Sequence, residues 1–326
     1  MASLKLIVVV GATGMQGGSV VNTFLNEPGW RVRGLTRNAT SSKASALQGR
    51  GVEVVEGNLD NPSSLSAAFK DANIVFAVSD FWSNYLDSGK RTNQEQPGNI
   101  WAAEQETQQL KNVIDVASGI DTLERFVISS LSNVEKASSG KYKNVFHFDS
   151  KDKAVEYARE QHPQLWKKTS IIQAGWYISN FWLLPMMKPR KNADGIVQFT
   201  SQAKGESIVP YIAAEEDTGP LVRSLIFEPA GKNLLAYREL ITMNEFVQNF
   251  TKATGLKAEV VTVPASALDY PEDAALEFAE TFDHVNEFGY PGANDPAVIH
   301  PKDLKGSPKL GSVVEFLKKQ DWTTVF

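Results

Sequence analysis

The stretch Gly11-Ala12-Thr13-Gly14-Met15-Gln16-Gly17 determines how the first half of this chain folds. It follows the apolar, β-branched run 4–10 and opens the helical spacing of residues 15–25. In this strand-to-helix context, Gly-x-x-Gly-x-x-Gly is a specific signal for a bound dinucleotide. Gly11 permits the tight turn, Gly14 lets the backbone approach a pyrophosphate, and Gly17 lets the helix pack closely. The stretch therefore predicts a Rossmann-type βαβ unit with the pyrophosphate at the helix N-terminus.

Short apolar runs alternate with helical patterns through the rest of this half. The predicted strands are 4–10, 31–36, 52–56, 73–78, 125–129 and 169–173. The predicted helices are 15–25, 44–47, 63–69, 102–118 and 150–159. Repeated βα units predict an α/β fold with a doubly wound parallel sheet of the Rossmann type.

The pattern loosens after about residue 175, where proline and glycine become frequent. A helix over 244–254 that ends at Gly255, a strand over 257–263 and a last helix near 311–319 are predicted there. We therefore expect residues 1–174, with later core-packing segments, to form the cofactor-binding Rossmann domain. Residues 175–326 are expected to form a smaller, irregular α+β region that binds substrate or partner and is interleaved with the core. Residues 80–98 are polar and predict a long loop.

The end of the second predicted strand distinguishes NADP from NAD. A carboxylate about 20 residues after the glycine loop would bind the ribose hydroxyls of NAD. Here the sequence is Leu35-Thr36-Arg37-Asn38, and the Arg37 guanidinium suits a 2′-phosphate. The alternative is a solvated surface arginine. NADP(H) is the expected cofactor, with NAD(H) weaker, and Arg33 and Lys43 are auxiliary candidates.

Further cofactor contacts are expected where the next strands end. Asn58 and Leu59 close the third strand, at the place where such folds line the adenine, and Ala77 ends the fourth. For Asn58, a turn that starts the next helix is an equally good interpretation. Ser129 and Ser130 end the fifth strand, where they either hold a substrate carbonyl or satisfy backbone groups.

Composition excludes several classes of site. The chain has 326 residues, a formal net charge of -5 and no cysteine, so disulfides, thiolate metal sites and a cysteine nucleophile are excluded. The charge balance gives no pull toward nucleic acid, and direct nucleic-acid binding is not expected. Four widely spaced histidines show no metal-ligand spacing, so no metal is expected. No leader pattern or membrane-length apolar run is found, which predicts a cytoplasmic protein without a membrane partner, with a nuclear pool left open.

The motifs together resemble the NmrA-like family, atypical members of the short-chain dehydrogenase/reductase superfamily. The resemblance spans most of the chain and rests on segments 11–17, 35–37, 57–60, 77–82, 147–151 and 174–177. It implies an NADP(H)-binding fold. Characterised members are often redox sensors or transcriptional co-regulators that do not turn the cofactor over, and others are quinone reductases. The cofactor contacts expected from the motif and the resemblance are Gly11, Thr13, Gly14, Met15, Gln16, Gly17, Arg37, Asn58, Leu59, Ala77, Lys151, Gly175, Trp176 and Tyr177.

The catalytic residues depart from the short-chain reductase pattern. Those enzymes protonate the product oxygen with the tyrosine of a Tyr-x-x-x-Lys motif, whereas here His147 precedes Lys151 by four residues. Residues i and i+4 share a helix face, so both side chains can point at one site. Lys151 is the expected ribose ligand and His147 the candidate proton donor. The alternatives are an exposed helix lysine and a packed or surface histidine. Asp149 and Asp152 are interpreted as exposed helix-start carboxylates.

An intact cofactor motif beside an altered catalytic pair favours a redox-sensing regulator that acts through a protein partner. The alternative hypothesis is an NADPH-dependent reductase of a quinone or other small carbonyl compound. The aromatic set Trp82, Tyr85, Trp176, Tyr177, Phe181 and Trp182 is interpreted as core and pocket lining. An open, deep pocket beside Trp176 and Tyr177 would favour the enzyme, and a pocket filled by aromatic side chains would favour the sensor.

Overall fold

The computed structural model describes residues 4–91, 95–268 and 270–325. The strands within these ranges are β1 Lys5–Val10, β2 Trp30–Thr36, β3 Glu53–Glu56, β4 Ile74–Ala77, β5 Arg125–Ser130, β6 Thr169–Ala174, β7 Trp176–Tyr177, β8 Arg190–Lys191, β9 Val197–Ser201, β10 Ile208–Ile212, β11 Asn233–Ala236, β12 Glu239–Thr242 and β13 Ala258–Thr262.

The α-helices in the same ranges connect and cover these strands. They are α1 Met15–Leu25, α2 Ser42–Gln48, α3 Pro62–Phe69, α4 Phe81–Leu86, α5 Gly98–Ser118, α6 Val134–Ala137, α7 Phe146–Gln161, α8 Pro163–Trp166, α9 Asn180–Leu183, α10 Ala214–Phe227, α11 Met243–Thr254, α12 Glu272–Phe288 and α13 Val313–Lys318. Short 3-10 turns lie at Ser88–Lys90, Pro185–Met187, Ala265–Ala267, Pro301–Asp303 and Trp322–Thr324. No helix in the described ranges has the length and apolarity to cross a membrane.

The main sheet has seven parallel strands in the order β11-β6-β5-β4-β1-β2-β3. The chain runs outward from β1 to β3, then crosses back to β4 and runs outward in the other direction. The predicted doubly wound Rossmann-type sheet is confirmed. Ligands of such sheets bind beyond the carboxyl ends of the strands at the switch between the two halves, which here lies between β1 and β4.

Both faces of this sheet are buried, which explains the continuous apolar runs. Alternate residues of β1 enter separate cores, with Leu6 and Val8 on one face and Ile7 and Val9 on the other. Helices α3, α5 and α7 cover the first face, and α1 and α10 cover the second. A parallel strand with helices on both sides needs apolar side chains at every position.

Segments after residue 175 also take part in the main sheet. Strand β11 pairs with β6, and α10 packs on α1, where the Gly219 amide donates to the Ser19 hydroxyl at 2.9 Å. Two three-stranded sheets, β12-β10-β7 and β13-β9-β8, build the rest around an aromatic core. The predicted helix 244–254 is present, and Gly255 ends it with a φ of 77°. Assigning residues 1–174 and 175–326 to separate functions stays a prediction.

The prediction of a continuous loop over residues 80–98 is wrong in part. Residues Phe81–Leu86 form α4, and the Asp80 carboxylate accepts the Ser83 amide at its start. Phe81 is buried against Trp101. This apolar contact and the Asp80 cap stabilise a helix that the polar composition of the segment did not predict. Within this segment, residues 92–94 lie outside the described part of the chain.

Candidate active site

The glycine loop lies at the carboxyl end of β1, at the switch point of the sheet. Gly11 has a φ of 65°, a backbone conformation that favours glycine. A Cβ atom on Gly17 would lie 2.2 Å from the Gly11 carbonyl oxygen. Both glycines are therefore needed for the loop to fold back tightly onto the start of α1.

The N-terminus of α1 is open to an anionic ligand. Gly14 is its N-cap, no described side chain caps the free amides, and the first turn carries no acidic residue. The side chain of Met15 is exposed beside them. Uncapped amides and the helix dipole attract a phosphate. This loop fits the pyrophosphate of a dinucleotide.

Gln16 links the glycine loop to two other strand ends. Its amide nitrogen donates to the Tyr177 hydroxyl at 2.6 Å, and its carbonyl accepts the Ser129 hydroxyl at 2.9 Å. The Ser130 hydroxyl bonds the Leu131 carbonyl, so both strand-end serines are engaged within the protein. Burial raises the pKa of Tyr177, so this phenol stays neutral.

Arg37 follows β2 at the same edge and is exposed. No described residue forms a hydrogen bond or ion pair with its guanidinium, which leaves it free for a phosphate. Arg33 was an auxiliary candidate for binding the phosphate, but its guanidinium is engaged within the protein. It is buried, 2.9 Å from the Glu53 carboxylate, and it donates to the carbonyls at the end of α3. Lys43 is exposed on α2.

Asn58 lies in the turn after β3. Its side-chain oxygen accepts the Asp60 amide at 3.0 Å, so it forms the turn that precedes α3. Leu59 packs partly into the core of α3 and α5, and Ala77 is fully buried at the end of β4. Cofactor contact by these three residues stays a prediction.

Lys151 and His147 lie one turn apart on α7, as their spacing predicted. The Lys151 ammonium lies 2.8 Å from the carboxylate of Glu106, which is 0% exposed, and it also donates to the His147 carbonyl at 2.9 Å. The hydroxyls of Ser79 and Ser150 donate to the same carboxylate. Lys151 is thus a nearly buried cation, not an exposed helix lysine.

His147 forms a dyad with Glu277, a residue of α12. The imidazole Nδ1 lies 2.6 Å from a Glu277 carboxylate oxygen that also accepts the His147 amide at 2.7 Å. Glu277 is 0% exposed, and Asn99 donates to its other oxygen. Glu277 could not be predicted as a partner of His147, since it is a carboxylate on an amphipathic helix and lies 130 residues from the histidine.

Aromatic rings cover the dyad. Trp82 lies 5.3 Å from the His147 ring and stacks on Phe278 at 5.1 Å, and Phe278 stacks on Tyr270 at 4.4 Å. Trp182 instead packs on Phe316 and Trp322, away from this stack.

Gly175 and Trp176 follow β6 and have different structural roles. A Cβ atom on Gly175 would lie 2.2 Å from the Pro210 carbonyl oxygen, so close approach of β10 requires this glycine. Trp176 borders a cavity of about 20 Å³ with largely apolar walls.

The interpretation of Asp149 as an exposed helix-start carboxylate is wrong. Asp149 is 3% exposed and accepts the Val134 amide at 2.7 Å, so it fixes the loop after β5. Burial raises its pKa to about 6. Asp152, one turn further, is half-buried and bonds Asn133 and Lys136.

Comparison with known proteins identifies the family. The sequence model of the NmrA-like family matches residues 3–323. The chain belongs to the NmrA-like family. The family is part of the atypical short-chain dehydrogenase/reductases. One relative is the NmrA-like family domain-containing oxidoreductase hkm9 of Aspergillus hancockii, 28% identical over 91% of this chain and 82% of its own length.

Solved structures of other NmrA-like and related proteins share the fold. The negative transcriptional regulator NmrA, in complex with NADP, has a TM-score of 0.78 at 19% identity, covering 98% of this chain and 95% of that one. The NADPH-dependent quinone oxidoreductase QOR2 of Escherichia coli, complexed with NADPH, has a TM-score of 0.67 at 18% identity, covering 96% and 99%. A complex of NmrA with NAD also matches, so neighbours of this fold bind both dinucleotides.

Proposed function

We propose that this protein is an NADPH-dependent reductase of a quinone or other carbonyl compound. The observation that carries the proposal is the His147–Glu277 dyad, which stands on the same helix face as Lys151. The sequence alone shows an altered catalytic pair, and the Glu277 carboxylate beside Nδ1 supports a role for the histidine in proton transfer. Relatives that match most of this chain are named oxidoreductases, which supports the same conclusion.

The dyad determines which nitrogen of His147 can act. Glu277 accepts the proton on Nδ1, so Nε2 is the atom that gains and loses a proton. The Glu277 carboxylate fixes the orientation of the ring, so that the proton on Nε2 can be donated to the developing oxyanion of the substrate. When bound, NADPH supplies the hydride. No described residue bonds Nε2, so it remains available to a substrate oxygen.

Lys151 has the complementary role of positioning the cofactor. An ammonium has three donors, and Glu106 and the His147 carbonyl accept two of them. The ammonium lies 2.8 Å from both oxygens of Glu106, so a ribose hydroxyl is proposed to share a donor with this carboxylate. The contact with the buried Glu106 carboxylate holds the ammonium in place beside α7.

The test is oxidation of NADPH by a panel of quinones and aldehydes, followed by absorbance. His147→Asn keeps a side-chain amide for Glu277 but removes the imidazole ring. We expect its turnover to fall by about 100-fold or more with NADPH affinity unchanged, since general acid catalysis contributes about that much. His162→Asn, at the end of the same helix, is the control and should retain full turnover. Undiminished turnover in His147→Asn would contradict the proposal.

Arg37 is proposed to give a preference for NADPH over NADH. We expect Arg37→Ala to weaken NADPH binding by about 10-fold and to leave NADH binding unchanged, because a hydrogen bond between charged groups contributes about 1.5–3 kcal/mol before solvent screening. Calorimetric titration of both cofactors measures this. Arg50→Ala, another exposed arginine, should bind both as the wild type does. Equal losses for NADPH and NADH would assign Arg37 to a different role.

A second candidate is a redox-sensing regulator that acts through a protein partner. The small aromatic-walled cavity beside Trp176 favours it, since little room is left for a substrate. In this function the cofactor redox state would bias a surface such as residues 80–98 and so change partner binding. NADPH binding at micromolar concentration without oxidation across the whole panel would support the regulator and refute the reductase.

A further inference from the structure

We propose that Asn99 is a positioning residue of the candidate active site, which holds the Glu277 carboxylate and, through it, the ring of His147. The inference rests on the proposed reductase function, in which the ring held in this way presents Nε2 to the acceptor. The link between the three side chains can also be tested without turnover.

The carboxylate of Glu277 is held from two sides. One oxygen accepts the His147 amide at 2.7 Å and lies 2.6 Å from Nδ1 of its ring. The other oxygen accepts the Asn99 side-chain amide at 3.2 Å. Glu277 is 0% exposed, and no lysine or arginine in the described ranges pairs with it. Without Asn99 the second oxygen would be a buried acceptor that has lost its partner, which is costly.

The side-chain amide of Asn99 has a fixed orientation. Its oxygen accepts the Ile100 amide at 2.9 Å, so its NH2 group faces the Glu277 carboxylate. A rotated amide would place oxygen against oxygen on one side and N–H against N–H on the other. Asn99 is 4% exposed in the first turn of α5, so solvent competes little for this donor. The fold therefore directs the donor at Glu277.

Helix α12 has separate anchors, so the proposed contact is not needed to dock it. The Glu280 carboxylate accepts both the backbone and the side-chain amide of Asn144 at 2.7 Å. The Glu287 carboxylate accepts the Tyr142 hydroxyl at 2.7 Å. These contacts hold the backbone of α12 against the segment before α7, but they do not fix the side-chain torsions of Glu277. Loss of the proposed contact is therefore expected to turn the carboxylate, not to release the helix.

The Glu277 contact decides which way the His147 ring faces. The rings of Trp82 and Phe148 pack on it at centroid distances of 5.3 Å and 4.8 Å. Such packing confines the ring but does not identify its nitrogen atoms. The contact with Nδ1 does so, and it also sets which nitrogen carries the proton when the ring is neutral. Asn99 therefore acts on Nε2 through two other side chains.

The first measurement is the 15N NMR spectrum of the intact chain with labelled histidines and no ligand. His147→Asn identifies the His147 signals among those of four histidines. At a pH at which the ring carries one proton, we expect the wild type to show a protonated Nδ1 and an unprotonated Nε2. Asn99→Leu removes the donor at similar volume. We expect the two shifts to move toward each other in this variant, as the other tautomer becomes populated.

A matched control breaks the same kind of hydrogen bond far from the site. The Asn73 side-chain amide donates to the Glu124 carboxylate at 3.3 Å, before the amino end of β4. Asn73→Leu should leave the His147 shifts as in the wild type. Asn99→Ser is a second variant in case the leucine does not fold. Serine suits the start of a helix, but its hydroxyl ends one bond short of the amide nitrogen, so it should reproduce the change in shifts.

The second measurement is turnover with the panel compound that the wild type reduces fastest. We expect Asn99→Leu to lower kcat by about 10-fold with KM and NADPH affinity unchanged, because a displacement of about 1 Å can cost about 100-fold. In a Glu277→Gln background the same substitution should have no further effect, since its route to the ring is already broken.

Two results would overturn the inference. One is a set of His147 shifts in folded Asn99→Leu and Asn99→Ser that equals the wild type. The other is the full loss of kcat in the Glu277→Gln background, which would show that Asn99 acts by another route. Altered shifts in a protein that never oxidises NADPH refute the reductase but support the positioning contact, so the two failures are distinguishable.

Discussion

Replacing Lys151 with methionine is expected to lower the free energy of unfolding by about 3–5 kcal/mol, because the change leaves Glu106 buried without its cation. Glu106 is 0% exposed, so water cannot take over from the ammonium. The hydroxyls of Ser79 and Ser150 still donate to it, but they carry no charge. Urea unfolding followed by circular dichroism measures the loss.

A second substitution distinguishes the loss of stability caused by an unpaired charge from the loss caused by missing side-chain packing. The double variant Lys151→Met with Glu106→Gln removes both charges and should recover most of the stability. Lys5→Met breaks an exposed ion pair with Glu124 and should cost no more than about 1 kcal/mol. If Lys151→Met unfolds at the same urea concentration as the wild type, the ion pair with Glu106 is not a stabilising contact.

Gly17→Ala is expected to weaken NADPH binding by about 10- to 100-fold, equivalent to about 1–3 kcal/mol of steric strain. The new methyl group would lie 2.2 Å from the Gly11 carbonyl oxygen and 2.6 Å from its carbon. The loop must then move away from α1, which separates the amides that are proposed to hold the pyrophosphate. Calorimetric titration with NADPH measures the affinity.

The neighbouring glycine provides the control. A Cβ atom on Gly18 would lie 3.6 Å from the Ala12 carbonyl oxygen, an ordinary contact. Gly18→Ala should therefore bind NADPH normally, and its α1 position should gain up to about 1 kcal/mol of helix stability. Similar affinities for the two alanine variants would show that loop geometry does not limit cofactor binding.

The sequence predicted those features that depend on local patterns. Each of these patterns lies within a few residues: the glycine loop, the apolar runs, and the i, i+4 spacing of His147 and Lys151. The structure confirms the parallel sheet that the loop and the apolar runs predicted. Helix α4 was missed because its stability depends on Phe81 packing against Trp101.

The partners of the site residues could not be predicted, since they come from distant segments. Glu106 reaches Lys151 from α5, and Glu277 reaches His147 from α12. From the sequence alone, a glutamate on an amphipathic helix is interpreted as a solvent-exposed side chain. Asp149 was misjudged for the same reason.

Strand β11 has a consequence for how the chain folds during synthesis. This edge of the main sheet is supplied by residues 233–236, and α10, which covers α1, begins at residue 214. A nascent chain that has reached only residue 174 therefore carries β6 as an open edge and α1 with an uncovered apolar face. Such edges pair with other chains and promote aggregation. Contacts across some 200 residues also slow closure of the fold. The ribosome must release most of the polypeptide before the cofactor-binding sheet is complete.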